Sequence, residues 1–427
     1  MIREVLEVLF ILLTGVMIVY MVRHYVFTLS VLRRAKKLGI TKPATHTTYA
    51  PSVTVLIPAR NEERVIERLL QRMVELTYPK DKLEVIVIDD ASSDNTGKIA
   101  DAYAVRHEFI RVLHRNQNVG GKGKASALNA AFKSSRGEII LCFDADYCPQ
   151  KDIVEKLVRE FDDAKVGVVQ GRPVVLNEPQ NIITRLVALE RIGGYRVDQE
   201  ARNSLGLTPQ FGGTVGGFRR RLLEELGGFD ESMLTEDTDL TFQARLKGYK
   251  VRYTGEAECY EEAVDTWKAY WRQRHRWARG HMQVCFKHTW GVLKSKKLTV
   301  KEKIDGLLLL NVYFMPVITL LSFVVGVSLI IAGSSLLDSV LWFSVAVSFY
   351  SFVGNFAPFF EVGIGAYLDG RTRIQWLAPL LLFAFLYNIP ICTKAFLDIV
   401  VAKTLGASRN DWAKTSHSGS GNRYIAN

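Results

Sequence analysis

Three short stretches carry residues whose types and spacing could do chemistry. The first is FDAD (143–146), where Asp144 and Asp146 stand one residue apart. If a strand ends in a turn there, two such carboxylates can grip a hard divalent cation. Mg²⁺ and Mn²⁺ take oxygen ligands and bridge to phosphates. The second is LTEDTDL (234–240), the centre of an acid-rich run with Glu231, Glu236, Asp237 and Asp239. At a helix start these acids are either a capping cluster favoured by the dipole or include an ionised general base for a hydroxyl. The third is QRHRW (273–277), a basic knot inside a Trp- and Arg-rich stretch at 265–284. That stretch predicts an amphipathic helix on a membrane face. Trp267 and Trp271 suit interfacial anchoring, whereas Trp277, inside Q-x-x-R-W, suits a site.

The elements that must position these groups alternate strand and helix from residue 53 onward. VTVLIP, LEVIVIDD, FIRVLHR and EIILCFDAD read as strands. Helices are expected at 62–76, at 94–106 and over KASALNAAFKSS, and another at 235–247 is stopped by Gly248. Such alternation predicts a parallel sheet covered by helices on both faces. Chemistry then sits beyond the carboxyl ends of the strands. ARNEE (59–63), Asp89 with Asp90, and Asp144 with Asp146 all fall there.

Several ligands are disfavoured. PARNEE holds no glycine after the first strand, so no dinucleotide fingerprint is present. NVGGKGKAS (118–126) resembles a phosphate loop, but neither Gly-Lys pair has the spacing or the following Ser/Thr. The formal charge is +11, yet the basic residues cluster beside apolar segments, as in RRAKK and KSKKLTVKEK. That fits anionic lipid or a phosphorylated ligand and excludes nucleic acid as a partner. Five scattered cysteines, with no CxxC pair, predict neither a disulfide framework nor a cysteine metal site.

The hydrophobic content is 48%, concentrated in the first 30 residues and after residue 304. The apolar run 5–22 is long enough to cross a bilayer and is followed by Arg23, Arg33, Arg34, Lys36 and Lys37. This is a retained span with its C-terminal side cytosolic. Further spans are expected at 305–332, 336–358 and 376–402. Four crossings would put the tail outside, yet it carries Lys403, Arg409, Lys414 and Arg423. Either a late segment is re-entrant or interfacial, or the tail breaks the charge rule. The expected division is a first helix at 1–30, an α/β domain at 50–260, interfacial helices at 261–303, a membrane region of about three helices at 304–403, and a polar tail at 404–427.

The ordered set PARNEE, IDDASSDNT, GKGKASALNAA, FDAD, VVQGRP, FGGTVGGFRR, GGFDESMLTEDTDL and QRHRW resembles the membrane-embedded family-two glycosyltransferases. Those enzymes make cellulose, chitin, hyaluronan and poly-N-acetylglucosamine. The resemblance implies a GT-A fold, α/β and Rossmann-like, on the cytosolic side of a multi-pass membrane protein. It implies a UDP-linked sugar donor, a Mg²⁺ or Mn²⁺ cofactor, and a growing glycan or lipid as acceptor. By motif, Asp89 or Asp90 would contact the base, with Ala59, Asn61 and Glu62 lining the same pocket. Lys124 would lie beside the nucleotide, Asp144 would approach nucleotide and metal, and Asp146 would hold the metal. Asp237, with Glu236 beside it, would be catalytic, Asp237 as the base. Gln273 and Arg276 would hold the diphosphate, and Trp277 would stack on the acceptor sugar. Tyr147 stands where several relatives carry a metal-side His, and T-E-D disfavours a hyaluronan-like product. The leading expectation is an inverting enzyme that uses UDP-glucose or UDP-N-acetylglucosamine to build and extrude a β-linked polysaccharide. Tyr313, Trp342, Tyr350 and Phe352 would be candidates to line its path. The alternatives are a non-processive enzyme adding one or a few sugars to a lipid or short acceptor, and an inactive scaffold or channel subunit.

Overall fold

The computed structural model describes residues 2–38, 49–333, 356–405, 419 and 421. Nearly all of the expected 336–358 span, with Trp342, Tyr350 and Phe352, lies outside the described residues, as does most of the tail.

Strand β1 (Val53–Ala59) is apolar along almost its whole length because it is covered on both faces. It pairs in parallel with β2 (Leu83–Asp90) on one side and β4 (Ile139–Cys142) on the other. β3 (Ile110–Arg115) continues the parallel set beyond β2. The other strands are β5 (Cys148–Pro149), β6 (Val166–Val175), β7 (Gly216–Arg219) and β8 (Lys250–Glu261), giving one eight-stranded sheet in the order β3-β2-β1-β4-β7-β6-β8-β5. The expectation of a parallel sheet holds for the four strands it named, β1 to β4, but the whole sheet is mixed: β7 runs antiparallel to both β4 and β6, and β5 antiparallel to β8. The β7 sequence, GGFR, gives no apolar alternation to read. A Cβ on Gly217 would lie 1.9 Å from the Ile140 carbonyl oxygen, so only glycine lets the strands meet there.

Helices cover both faces, as expected. Val55 and Ile57 pack with Leu69 and Leu70 of α2 (Ile66–Glu75). Leu56, Ile86 and Ile88 pack on the other side with Leu128 of α4 (Lys124–Ser134) and Leu240 of α9 (Glu236–Lys247). α2 begins four residues later than expected, after a turn in which Asn61 takes a left-handed backbone, φ 53°. α9 matches the expected helix and ends on Gly248, φ 100°. The remaining helices of this part are α3 (Thr96–Arg106), α5 (Ile153–Arg159), α6 (Ile182–Arg191), α7 (Glu200–Leu205) and α8 (Arg220–Leu226). Between α6 and α7 the chain winds as a π-helix over Ile192–Gln199.

α10 (Trp267–Lys294) is capped by Thr266, whose hydroxyl accepts from the Ala269 N–H, and runs well past its expected end. α11 (Val300–Leu310) opens with a Thr299–Glu302 capping box. Among the described residues, three helical stretches are long and apolar enough to cross a membrane: Ile2–Lys37 within α1 (Ile2–Leu38), Val312–Ile331 and Ala378–Thr404. The apolar helix Ala357–Leu368 has only 12 residues, too few to span, and its Glu361 pairs with His24 of α1. Gly421 donates its N–H to Glu262 and abuts Arg68. That point of the tail packs on the α/β domain.

Candidate active site

A cleft of about 430 Å³ opens beyond the carboxyl ends of β1, β2 and β4. Eleven of the thirteen residues singled out from the sequence line it: Ala59, Glu62, Asp90, Lys124, Asp144, Asp146, Glu236, Asp237, Gln273, Arg276 and Trp277. Asn61 and Asp89 are not among its lining residues. The left-handed turn at Asn61 carries its amide to the 91–95 loop, where Oδ1 accepts from the Ser93 N–H at 2.7 Å. Asp89 and Asp90 are neighbours on a strand, so they face opposite sides of the sheet. Asp89 accepts from the Ser92 N–H and pairs with His114 at 3.0 Å. Asp90 pairs with Arg115 at 2.6 Å and accepts from the Gly121 N–H at 3.0 Å, pinning the glycine-rich loop over the cleft.

Lys124 leads α4 and reaches Asp144 Oδ1 at 2.5 Å and the Gly213 carbonyl at 2.8 Å. Burial works against its charge, but Asp144 and Glu236 hold its pKa above the ordinary lysine value. Asp146 is buried, and its backbone carbonyl accepts from Arg68. Tyr147 gives its hydroxyl to Glu261 at 2.5 Å, and Glu261 is held in turn by Arg191. Burial, then the Glu261 charge, push that phenol far above its ordinary range.

The acid run at 231–239 divides by helix face. Glu231 accepts from Asn129, and Asp239 clamps His288 and Lys287 of α10 at 2.7 and 2.8 Å. Only Glu236 and Asp237 turn into the cleft. Burial raises both carboxyls. The Asp237 charge adds to the rise on Glu236, which reaches about 7. On Asp237 the Thr238 N–H, Lys124 and Arg276 oppose burial without reversing it. The three nitrogen-bearing side chains Arg274, His275 and Arg276 also part company, as about 100° per residue requires. Arg274 pairs with Glu190, and His275 with Asp398 at 2.8 Å. Arg276 faces the cleft, and its buried Nε has no hydrogen-bond partner among the described residues. Burial lowers its pKa, opposed by Glu236, Asp144 and Asp237. A buried, unsatisfied guanidinium nitrogen beside an electron-rich cleft suits an anionic ligand group. Trp277 carries the Arg274 and Arg191 guanidiniums over its ring, at 4.4 and 5.3 Å.

Asp144 and Asp146 offer oxygen only, the donor set that Mg²⁺ and Mn²⁺ take. Among the described residues, the cleft acids do not converge as a three-ligand cluster. One or two carboxylates completed by phosphate and water is the usual arrangement for such an ion, so the residues fit. Gly213, φ 86°, brings backbone against the acid pair: a Cβ there would lie 2.8 Å from Asp237 Oδ2. Gly213→Ala therefore meets both a left-handed backbone cost of about 1–2 kcal/mol and a clash with the carboxylate. The expected outcome is a folded protein with lowered Tm and at least tenfold less activity, read by thermal unfolding and a turnover assay.

Sequence reasoning missed Arg191 and Glu261, Arg68 behind Asp146, and also the far end of the cleft, where Arg23, Asp198 and Arg202 stand. Arg23 was legible only as a charge following a span. Its bond to Asp198 spans 175 residues and left no local signal.

A mixed sheet with helices on both faces, its acids gathered beyond the strand ends, defines the GT-A class of α/β fold. The sequence model described as glycosyltransferase-like family 2 matches residues 50–280. The chain is 41% identical over 248 residues to the probable glycosyltransferase YdaM of Bacillus subtilis, covering 58% of this chain and 59% of that protein. It is 30% identical to a beta-monoglucosyldiacylglycerol synthase of Trichormus variabilis, over 87% of this chain and 77% of the relative. It is 26% identical to a poly-beta-1,6-N-acetyl-D-glucosamine synthase of Staphylococcus epidermidis, over 87% and 88%. Among solved structures, the mannosyltransferase PcManGT of Pyrobaculum calidifontis, in complex with GDP-Man and Mn²⁺, superposes with a TM-score of 0.59 at 25% identity, covering 92% of this chain and 99% of that one. The chain belongs to glycosyltransferase family 2.

Proposed function

We propose that the protein transfers a sugar from a nucleoside-diphosphate sugar to the hydroxyl of a membrane-associated acceptor, with inversion. The observation that carries this reading is the shared cleft of Asp237, Glu236 and Arg276, with an acid pair on one wall and an unsatisfied guanidinium on another. Asp237 takes the proton of the attacking hydroxyl. The acceptor oxygen bonds to the anomeric carbon as the bond to the diphosphate breaks on the opposite face. The electron pair leaves with the diphosphate, whose charge Arg276 and Lys124 are poised to stabilise. A divalent cation held by Asp144 and Asp146 would neutralise further phosphate charge. Ala59, Glu62 and Asp90 form the nucleoside end, with Gln273 towards the diphosphate and Trp277 towards the acceptor. UDP-glucose and UDP-N-acetylglucosamine are the expected donors, and the GDP-Man of the PcManGT complex makes GDP-mannose the third to try.

The test is a screen of these three donors with Mn²⁺, Mg²⁺ or EDTA, following nucleoside-diphosphate release. One donor is expected to be consumed, and EDTA is expected to abolish most of the release. Consumption of none by folded protein would overturn the reading.

The raised acids also fix a pH dependence. A base must be ionised, so activity is expected to climb between about pH 5 and pH 8, with a midpoint that belongs to the Glu236–Asp237 pair. Stability runs the other way. A carboxyl that holds its proton more tightly when folded contributes stability that is present below the ordinary carboxyl range. That contribution is lost as pH rises through about 7. Ligand-free protein is therefore expected to lose Tm from pH 5 to 8 at this site, and donor with Mn²⁺ to restore it. Thermal unfolding at the two pH values checks the sign.

A further inference from the structure

The acid pair and Arg276 deal with the bonds made and broken, but an aromatic wall beside them carries polar groups that nothing in the chain satisfies. Tyr195 of the π-wound stretch, Trp277 and His281 of α10, and Tyr313 just beyond α11 all line the cleft. Arg191 stands over both the Tyr195 and the Trp277 rings, at 5.8 and 5.3 Å, and so joins these two. Trp277 and His281 are four residues apart on one helix, hence neighbours on one face. His281 stacks on Tyr313, with ring centroids 4.5 Å apart and the planes 26° from parallel.

Glycines fix both ends of this wall against the reaction centre. A Cβ on Gly212 would come within 2.5 Å of the Tyr195 hydroxyl, and a Cβ on the next residue, Gly213, within 2.8 Å of Asp237 Oδ2. The phenol and the base therefore face one bare stretch of backbone, two glycines long. Gly280 lets α10 meet the start of α9, since a Cβ there would lie 2.5 Å from Thr235 Cγ2. His281 follows directly, one turn beyond Trp277.

The polar tips at the two ends are open. Neither the Tyr195 hydroxyl nor either His281 ring nitrogen has a hydrogen-bond partner among the described residues, and neither group is sealed off from the cleft. A largely buried phenol normally finds a partner. Both groups are uncharged at working pH. Burial, opposed by Arg191, pushes the Tyr195 phenol up to about 12, and burial takes the His281 imidazole down to about 4. The cations behind the wall are already matched, Arg191 by Glu261 and Arg274 by Glu190, which leaves the wall poorly suited to a phosphate. Neutral tips that each give and take a hydrogen bond, set among aromatic carbon, suit the hydroxyls and apolar faces of a sugar ring.

We infer that the acceptor is itself a sugar, and that Tyr195 and His281, the latter backed by Tyr313, each hold one of its hydroxyls other than the one that attacks. This rests on the transfer reading above and narrows its acceptor to a glycoside, carried either on a lipid or as a soluble oligosaccharide. The attacking hydroxyl stays with Asp237. Tyr195 and His281 bind the acceptor and take no proton from it.

The test uses the full chain in phosphatidylcholine nanodiscs with Mn²⁺ and whichever of the three donors it consumes. Glucosyl-diacylglycerol, a soluble β-linked glucose trisaccharide and diacylglycerol are offered in turn. A sugar acceptor is expected to exceed diacylglycerol at least about tenfold in kcat/KM, and which of the two is used tells whether the sugar arrives on a lipid. Tyr195→Phe and His281→Phe keep the rings and remove the tips. Each is expected to raise the acceptor KM about three- to tenfold while the donor KM moves less than about twofold. Monodeoxy forms of the preferred acceptor separate contact from structure. Each variant should be indifferent to the loss of one particular hydroxyl whose removal costs the wild type about the same factor. Preference for diacylglycerol, an unmoved acceptor KM in both variants, or variants as sensitive as the wild type to every deoxy position would overturn the subsite and leave the transfer reading intact. Should one variant fail to fold, the other decides by the same comparison. No donor consumption by the wild type with any acceptor would instead bring down the transfer reading itself, and the subsite with it.

Discussion

Asp237→Asn is expected to bind the nucleotide donor within about twofold of wild type and to transfer sugar roughly 10²- to 10⁴-fold more slowly. The substitution changes almost nothing in shape. Asp237 sits in the first turn of α9, its Oδ1 taking the Thr238 N–H at 2.6 Å, and an asparagine carbonyl can keep that bond. What vanishes is the capacity to accept a proton. Glu236 is the neighbouring acid and is itself pushed up to about 7, so removing the adjacent negative charge should lower it. A residual rate with a shifted pH midpoint is therefore expected, and Asp237→Asn with Glu236→Gln should extinguish it. Donor binding by calorimetry and single-turnover transfer check the split. An equal loss of binding and transfer would take Asp237 out of the base role and make it a donor contact.

Arg276→Ala is expected to reduce turnover by about 10²- to 10³-fold, with weaker donor binding as well. The guanidinium is buried, has an unsatisfied Nε, and is the cation of the QRHRW segment that faces the cleft. Its partner in the reaction is the charge that builds on the departing diphosphate. Because Arg276 also draws Asp237 towards its ionised form, its removal should move the climbing limb of the pH–rate profile to higher pH. Arg276→Lys should return that limb towards wild type, since it restores the charge. It should recover the rate only in part, because an ammonium lacks the planar two-pronged donor. A pH profile unmoved by Arg276→Ala would separate the arginine from the acid pair.

How much of this could be read from the chain depends on distance along it. The strand ends and their acids follow from local patterns: an apolar run, then PARNEE, IDD or FDAD. α9 was legible to within a residue because its acidic start and Gly248 both obey helix-end chemistry. Period-two alternation along β2 already says that Asp89 and Asp90 face opposite ways, but not which face carries the cleft. That is decided by where α4 and the glycine-rich loop pack. The antiparallel β7 was illegible because GGFR has no hydrophobic rhythm and owes its place to close backbone approach. The bonds of Arg23 to Asp198 and of Arg202 to Asp305 join segments far apart, and no spacing rule reports them.

The π-wound stretch Ile192–Gln199 has a consequence for how such a protein diversifies. A wider turn is a stored insertion, since it holds one residue more than ordinary winding would. Deleting a single position inside it would let the rod tighten to ordinary winding with its downstream end held in place, whereas the same deletion in regular α-helix would swing that end by about 100°. The eight residues Ile192–Gln199 are thus a place where the chain can shorten by one and still keep Arg202 of α7 against Asp305.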